Sequence, residues 1–241
     1  MQSFNKATVI IDPSRDDHPS LMRALQWDRL FDLEIELLAC TVTELSLLQE
    51  YLEQLADPLN EQGVTVSIKA LEGNPNYETL VRHIFASQPD IVFHSARYHS
   101  WLSRQCLSNQ DWLLVRSCPV PFLLVRYRDW KKAPLFIAAI DPFHHSDVQS
   151  MLDSNILSMT KVLQRDFDGD LRAVHSYSPI EASGYQFTDV RGQHFAASEK
   201  LMTTFQLDHD KLIIKDGALP KVLPELLKEL EADVVVMGAV S

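Results

Sequence analysis

The sequence predicts an α/β fold built twice, each copy an open parallel sheet with helices on both faces. Three observations carry that expectation. Short apolar runs alternate with stretches of 3.6-residue periodicity, the pattern of parallel strands joined by crossover helices. The order of these segments restarts near Pro134, with matching landmarks in sequence, and an internal repeat outranks any local motif. The 241 residues are 46% hydrophobic and 23% charged, an ordinary globular composition that can bury two small cores.

In the first copy, Ala7-Thr8-Val9-Ile10-Ile11 is an apolar strand closed by Asp12-Pro13. Leu21, Ala24, Trp27 and Phe31 form one stripe, which predicts a helix from Pro19 to Asp32. Glu34 to Ala39 alternates as a second strand. From Glu44 to Asn60 the positions Leu45, Leu48, Leu52, Leu55 and Leu59 step by three or four, and Gly63 stands where that helix stops. Val64, Val66 and Ile68 predict the third strand, and Tyr77, Leu80, Val81, Ile84 and Phe85 the third helix. Ile91-Val92-Phe93 and Val120 to Val125 are the last two strands, so the first unit spans residues 1–126. Residues 127–133, beginning Tyr127-Arg128-Asp129-Trp130, read as a linker.

The second unit, residues 134–241, repeats the landmarks. Ala138-Ala139-Ile140-Asp141-Pro142 follows Val9-Ile10-Ile11-Asp12-Pro13 by 129 positions, Gly217 follows Gly73 by 144, and Asp233 follows Asp90 by 143. The jump implies an insertion of about 15 residues, placed at Ser178 to Gly192, where Pro179, Gly184 and Gly192 interrupt any period. Ile180, Tyr185 and Phe187 in it could wall a cavity near Asp141. Leu219, Val222, Leu223, Leu226, Leu227 and Leu230 make a helical stripe for which core packing is sufficient explanation.

Charge and composition exclude several functions. A formal charge of −11 argues against a nucleic-acid partner. No apolar run approaches the roughly 18 residues of a membrane helix, so no membrane insertion is expected. Met1-Gln2-Ser3-Phe4-Asn5-Lys6 lacks the features of a secretory signal, which leads to a cytoplasmic location. Cys40, Cys106 and Cys118 match neither a disulfide framework nor a zinc module.

With these residues in place, the chain resembles the universal stress protein family. The resemblance rests on the Asp-ended first strand, the glycine before the third helix, the Asp90-Ile91-Val92-Phe93 strand and the run Asp111-Trp112-Leu113-Leu114-Val115-Arg116-Ser117-Cys118-Pro119-Val120-Pro121. Ile11-Asp12-Pro13 followed by Asp16-Asp17, with Arg191-Gly192-Gln193-His194 in the second unit, is similar to the tandem E-type members. The resemblance implies a Rossmann-like, five-stranded sheet of order 3-2-1-4-5 in each unit and a role in the stress response. It also implies that ATP or AMP could bind where the family's glycine pattern survives.

That pattern is Gly-x-x-Gly, nine residues, then Gly-Ser or Gly-Thr after the fourth strand. Glycines there allow backbone N–H groups to cradle phosphates at a helix N-terminus. In the first unit the three glycine positions fall on Ser95, Tyr98 and Ser108, and no glycine occurs between Asn74 and Asp168. This unit is expected to have lost the phosphate site. In the second unit Gly238 occupies the first position, Ser241 stands where the second glycine belongs, and the sequence stops. The expectation is therefore a second unit without the last helix and strand, whose exposed sheet edge favours self-association or an unknown protein partner.

Asp12 and Asp141 lie at the carboxyl ends of first strands, where ligands bind in open α/β sheets. The resemblance implies that such an aspartate positions an adenine or ribose, whereas an Asp-Pro pair by itself only shapes a turn. Asp12 reads as the turn former. For Asp141 and Pro142 both roles stand, and with Gly238 and Ser241 they are the candidate ligand-binding residues. His144-His145 with Asp141 and Asp147 lack the spacing of a metal site. Gly-x-Ser-x-Gly, a Walker loop and His-Glu-x-x-His are all absent, as is the Ser-Gly-Gly-x-Asp-Ser loop of enzymes that cleave ATP at the α-phosphate. The favoured function is thus a non-enzymatic stress-response protein binding a small molecule or nucleotide at most in its second unit. An adenine-nucleotide-using enzyme and a ligand-free interaction scaffold are the alternatives.

Overall fold

The computed structural model describes residues 4–73, 76–96, 109–143, 147–177 and 190–239. The chain divides into two compact units, one ending at Arg128 and the other running from Asp129 to Ala239.

The first unit contains β1 (Lys6–Ile10), α1 (Pro19–Phe31), β2 (Glu34–Thr41), α2 (Leu45–Glu61), β3 (Val66–Glu72), α3 (Tyr77–Ser87), β4 (Ile91–Ser95), α4 (Asn109–Ser117) and β5 (Phe122–Val125). Its sheet is fully parallel with order β3-β2-β1-β4-β5. The central strands β1 and β4 are buried on both faces, which is why they read as near-continuous apolar runs. On one face Trp27 of α1 is 1% exposed and meets Phe4 and Phe93 edge-on at 5.1 and 5.3 Å. On the other, Ile10, Leu38 and Val92 pack with Leu80, Ile84 and Leu114 of α3 and α4. Each such buried side chain contributes about 1.5–3 kcal/mol.

Local chemistry sets the ends. Pro19 opens α1 and Asp32 closes it in the left-handed region at φ 53°, returning its N–H to Asp28. Asn76 caps α3, its side chain accepting from Thr79 N at 3.0 Å. The third strand begins at Val66, two residues later than the alternation suggests. Val64 N bonds back to Leu59 O at 3.1 Å and finishes the α2 terminus, and only at Val66 does pairing with Ile35 begin. The fifth strand likewise starts at Phe122, because Pro119 and Pro121 have no N–H to give a ladder.

The second unit contains β6 (Leu135–Ala139), α5 (Asp147–Asp166), β7 (Asp170–Tyr177), α6 (Val190–Thr204), a 3-10 turn at His209–Lys211, β8 (Leu212–Asp216), α7 (Leu219–Glu229) and β9 (Val234–Val236). Its four strands are parallel in the order β8-β7-β6-β9, the counterpart of β3-β2-β1-β4. Ala138, Ile140 and Ala173 face α5 and α6, while Ile137 and Val174 face Leu223 and Leu226 of α7. The leucine stripe of α7 is core, as its spacing suggests. Trp130, in the stretch read as a linker, packs edge-on against Phe136 and Phe167, and Lys131 Nζ pairs with Glu231 at 3.0 Å. Gly192, read as a breaker of periodicity, lies inside α6. The rest of the expected insertion, residues 178–189, lies outside the described residues, so the cavity wall expected of Ile180, Tyr185 and Phe187 does too.

Candidate functional site

The carboxyl ends of the strands differ between the two units. In the first, Asp12 follows β1 by two residues and turns its carboxylate onto its own loop, Oδ1 accepting from Ser14 N at 3.1 Å and Ser14 Oγ at 2.6 Å. This is an Asx turn, the role its Asp-Pro context suggests. Ser95, in the first glycine position, ends β4 and ties it to α1. Its Oγ accepts from Ser20 N at 3.1 Å and donates to Ser20 Oγ at 2.9 Å. One of the unsatisfied N–H groups at the start of α1 is thereby filled by a protein hydroxyl. Tyr98 and Ser108 lie outside the described residues. His94 sits at the end of β4 and pairs with Asp111 of α4 at 3.3 Å. Burial pushes the Cys40 thiol up to about 11 and also raises Cys118, so neither is a poised nucleophile.

In the second unit, just as Asp12 follows β1, Asp141 follows β6 by two residues. Its N–H donates to Asp153 Oδ1 at 2.9 Å, and Asp153 is a buried residue of α5. Pro142 fixes the turn that brings Phe143 N back to Asp141 Oδ1 at 3.3 Å. The Asp141 side chain nonetheless remains half-exposed at 52%. Around it stand four rings. His175 and Tyr177 share one face of β7, as the two-residue period requires. His194 of α6 lies with its ring stacked on Tyr177 at 4.8 Å and on His175 at 5.0 Å, and Phe143 covers it at 4.1 Å.

The hydrogen bonds fix where the protons sit. His175 is 1% exposed and its Nδ1 lies 3.1 Å from Ile140 O, a carbonyl that can only accept, so Nδ1 carries the proton. Its Nε2 lies 2.8 Å from His194 Nδ1 and accepts from it. Asp141 Oδ1 stands 3.9 Å from His175 Nδ1. Burial holds His194 below the ordinary histidine range and the adjacent His175 lowers it further, while Asp141 acts in the opposite direction.

Of the candidate ligand residues, the structure thus places Asp141 and Pro142 beside the ring cluster. Gly238 follows β9, and a Cβ there would lie 2.4 Å from Leu152 Cδ2 of α5, so close helix packing by itself accounts for a glycine. Ser241, His144 and His145 lie outside the described residues. Phe143, His175 and Tyr177 were not apparent as site residues in the sequence. The usable signal was the alternation Ala173-x-His175-x-Tyr177, which aims two polar rings off the end of an otherwise apolar strand face. Among the described residues no three His, Cys, Asp or Glu side chains converge on a metal position, and no helix is long and apolar enough to cross a membrane.

No family model matches the chain. Over its whole length it is 25% identical to universal stress protein E of Salmonella typhi, covering 86% of that protein. It is 24% identical to universal stress protein E of Escherichia coli, again over all of this chain and 86% of the relative. A crystal structure from Pseudomonas aeruginosa, ascribed to the universal stress proteins, superimposes with a TM-score of 0.81 at 20% identity, covering 99% of this chain and 84% of the other. Two parallel sheets that share the order of their first four strands, in a chain similar over its whole length to universal stress protein E, make this chain similar throughout to the tandem universal stress proteins.

Proposed function

We propose that this stress-response protein acts without catalysis in the cytoplasm and binds its small-molecule ligand at the carboxyl end of the second unit, with the first unit structural. The observation that carries this reading is the contrast between the two strand-end aspartates. Asp12 is half-buried and accepts from Ser14 N and Ser14 Oγ within its own turn. Asp141 also accepts within its own turn, from Phe143 N, but its side chain is 52% exposed and lies beside the ring cluster of His175, His194, Tyr177 and Phe143.

A carboxylate beside flat rings suits a planar ligand with a hydrogen-bond donor, and an adenine nucleotide such as ATP or AMP is the first candidate. Charge-assisted hydrogen bonds contribute about 1.5–3 kcal/mol, so Asp141→Ala should weaken binding roughly tenfold or more. Calorimetric titration of the full chain with ATP and AMP tests this. One site per chain that Asp141→Ala weakens supports the reading; two sites, or a variant that binds unchanged, refutes it. Product analysis after incubation with ATP should show no ADP or AMP, and turnover would move the assignment to the enzyme alternative.

A further inference from the structure

The two imidazoles between β7 and α6 form a contact that tolerates a limited number of protons. Only one proton can lie between His175 Nε2 and His194 Nδ1, which are 2.8 Å apart, and His175 Nδ1 is already committed to Ile140 O. The neutral pair satisfies this. A pair with one added proton also does, the charge residing on the outer nitrogen of His194. With both rings protonated, two N–H groups would point at each other and the contact must open.

Met202 and Leu201 hold the C-terminal half of α6 in the core, and the histidine contact lies at its N-terminal end. No side chain of this helix is buried before Ser198, and Phe195 is 42% exposed. The ring of His194 reaches His175 and Tyr177 of β7, and Phe143 covers it. We propose that the His175–His194 pair is a proton-operated latch that fastens the N-terminal turns of α6 to the sheet of the second unit and releases them on acidification.

The surrounding charges set its working range. From β7 the titratable groups are His175 and Tyr177, whose register neighbour on β8 is Asp216. From the β6 end Asp141 faces the pair, backed by Asp153 of α5 through the Asp141 N–H. On α6 itself Arg191 is exposed and Glu199 is engaged with His209 at 2.8 Å. Burial and the adjacent His175 hold His194 low, with Asp141 opposing them, and the contact has no room for a second added proton, so the latched pair takes up protons less readily than the open one. The sign follows from linkage: the open state binds more protons than the latched one, so the latch holds at neutral pH and weakens as pH falls below about 6.5.

Hydrogen exchange of the full chain, read by mass spectrometry and corrected for the intrinsic pH dependence, tests this. With open-state histidines near their ordinary value, uptake of one proton lowers protection of the early α6 amides about 25-fold between pH 7 and pH 5. Peptides from β6 should keep their protection over that range. His194→Phe retains a ring for the stack and should abolish the pH effect in α6. Unchanged α6 protection in the native protein, an equal loss in His194→Phe, or a loss shared equally by β6 overturns the proposal. Should that variant not fold, the imidazole nitrogen spectrum of the native protein decides. A proton on Nδ1 of His175 at pH 7.5, with Nε2 bare, supports the latch, and a proton on Nε2 of neutral His175 with a bare Nδ1 refutes it.

Discussion

Replacing Gly238 by alanine distinguishes a glycine kept for a phosphate from one kept for a helix. An alanine Cβ would stand 2.4 Å from Leu152 Cδ2, 3.0 Å from its Cγ and 3.2 Å from its Cδ1. Carbon atoms in contact prefer about 3.5–4.0 Å, so either Leu152 must turn away or the end of β9 must move. The backbone at Gly238 is not in the left-handed region, which makes the penalty steric and not conformational. Overpacking of this kind costs about 1–3 kcal/mol, and the stiffer unfolded chain returns about 0.4–1 kcal/mol. Leu152 is half-buried and has some freedom to yield, which leaves a net loss of about 1–2 kcal/mol. Leu152→Ala removes the obstacle, so the double variant should be more stable than the sum of the single effects by about the same 1–2 kcal/mol. Urea denaturation read through hydrogen exchange of β6 and β7 peptides reports the second unit separately from the first. With a slope of about 1–2 kcal/mol per molar urea, the midpoint for Gly238→Ala should fall by roughly 1 M. A midpoint within about 0.3 M of the native protein, or strict additivity with Leu152→Ala, would sink the steric account. Loss of nucleotide binding at unchanged stability would instead favour the phosphate role.

Two further substitutions probe the same framework. Gly169→Ala should cost about 3 kcal/mol or more, because its Cβ would meet Pro134 O at 2.3 Å, a backbone oxygen already held by Asp170 N at 2.9 Å; a melting temperature close to native would contradict this. Ser95→Ala removes both hydrogen bonds to Ser20 and should cost the first unit about 1–2 kcal/mol, measured by the same exchange experiment on β4 peptides; no change would show that water replaces the hydroxyl without loss.

The fold was legible because its central strands are buried on both sides and its landmarks recur. Val9, Leu37 and Val92 are apolar for one reason, the sandwiching of a parallel sheet between helices. Strand limits were less so, since whether Val64 closes α2 or opens β3 depends on a hydrogen bond to Leu59 that periodicity does not encode. The site was legible only where position alone carries it. Asp141 announces itself by ending a first strand. His175 and His194 meet across 19 residues and Phe143 joins them from 51 residues before His194, a tertiary event with no local period. Gly238 shows a further limit: close approach of a phosphate and close approach of Leu152 both demand the same residue, and the letter in the sequence is identical.

The two units have met one requirement by different means. A fourth strand must end beside the start of the first helix, and in open α/β sheets that is the place where a ligand enters. In the first unit the space is taken by hydroxyls, Ser95 bonding Ser20 at the head of α1. In the second it is taken by hydrocarbon, Leu152 of α5 lying against the bare backbone of Gly238. Both solutions satisfy the protein's own atoms, so the fourth-strand end does not by itself distinguish a binding copy from a structural one. The distinction falls to the first and second strands. There Asp12 closes on Ser14, whereas Asp141 stays half-exposed against a proton-sensitive stack of rings. Any ligand selectivity of the second unit should therefore follow changes at Phe143, His175, Tyr177 and His194 more closely than changes at the glycine.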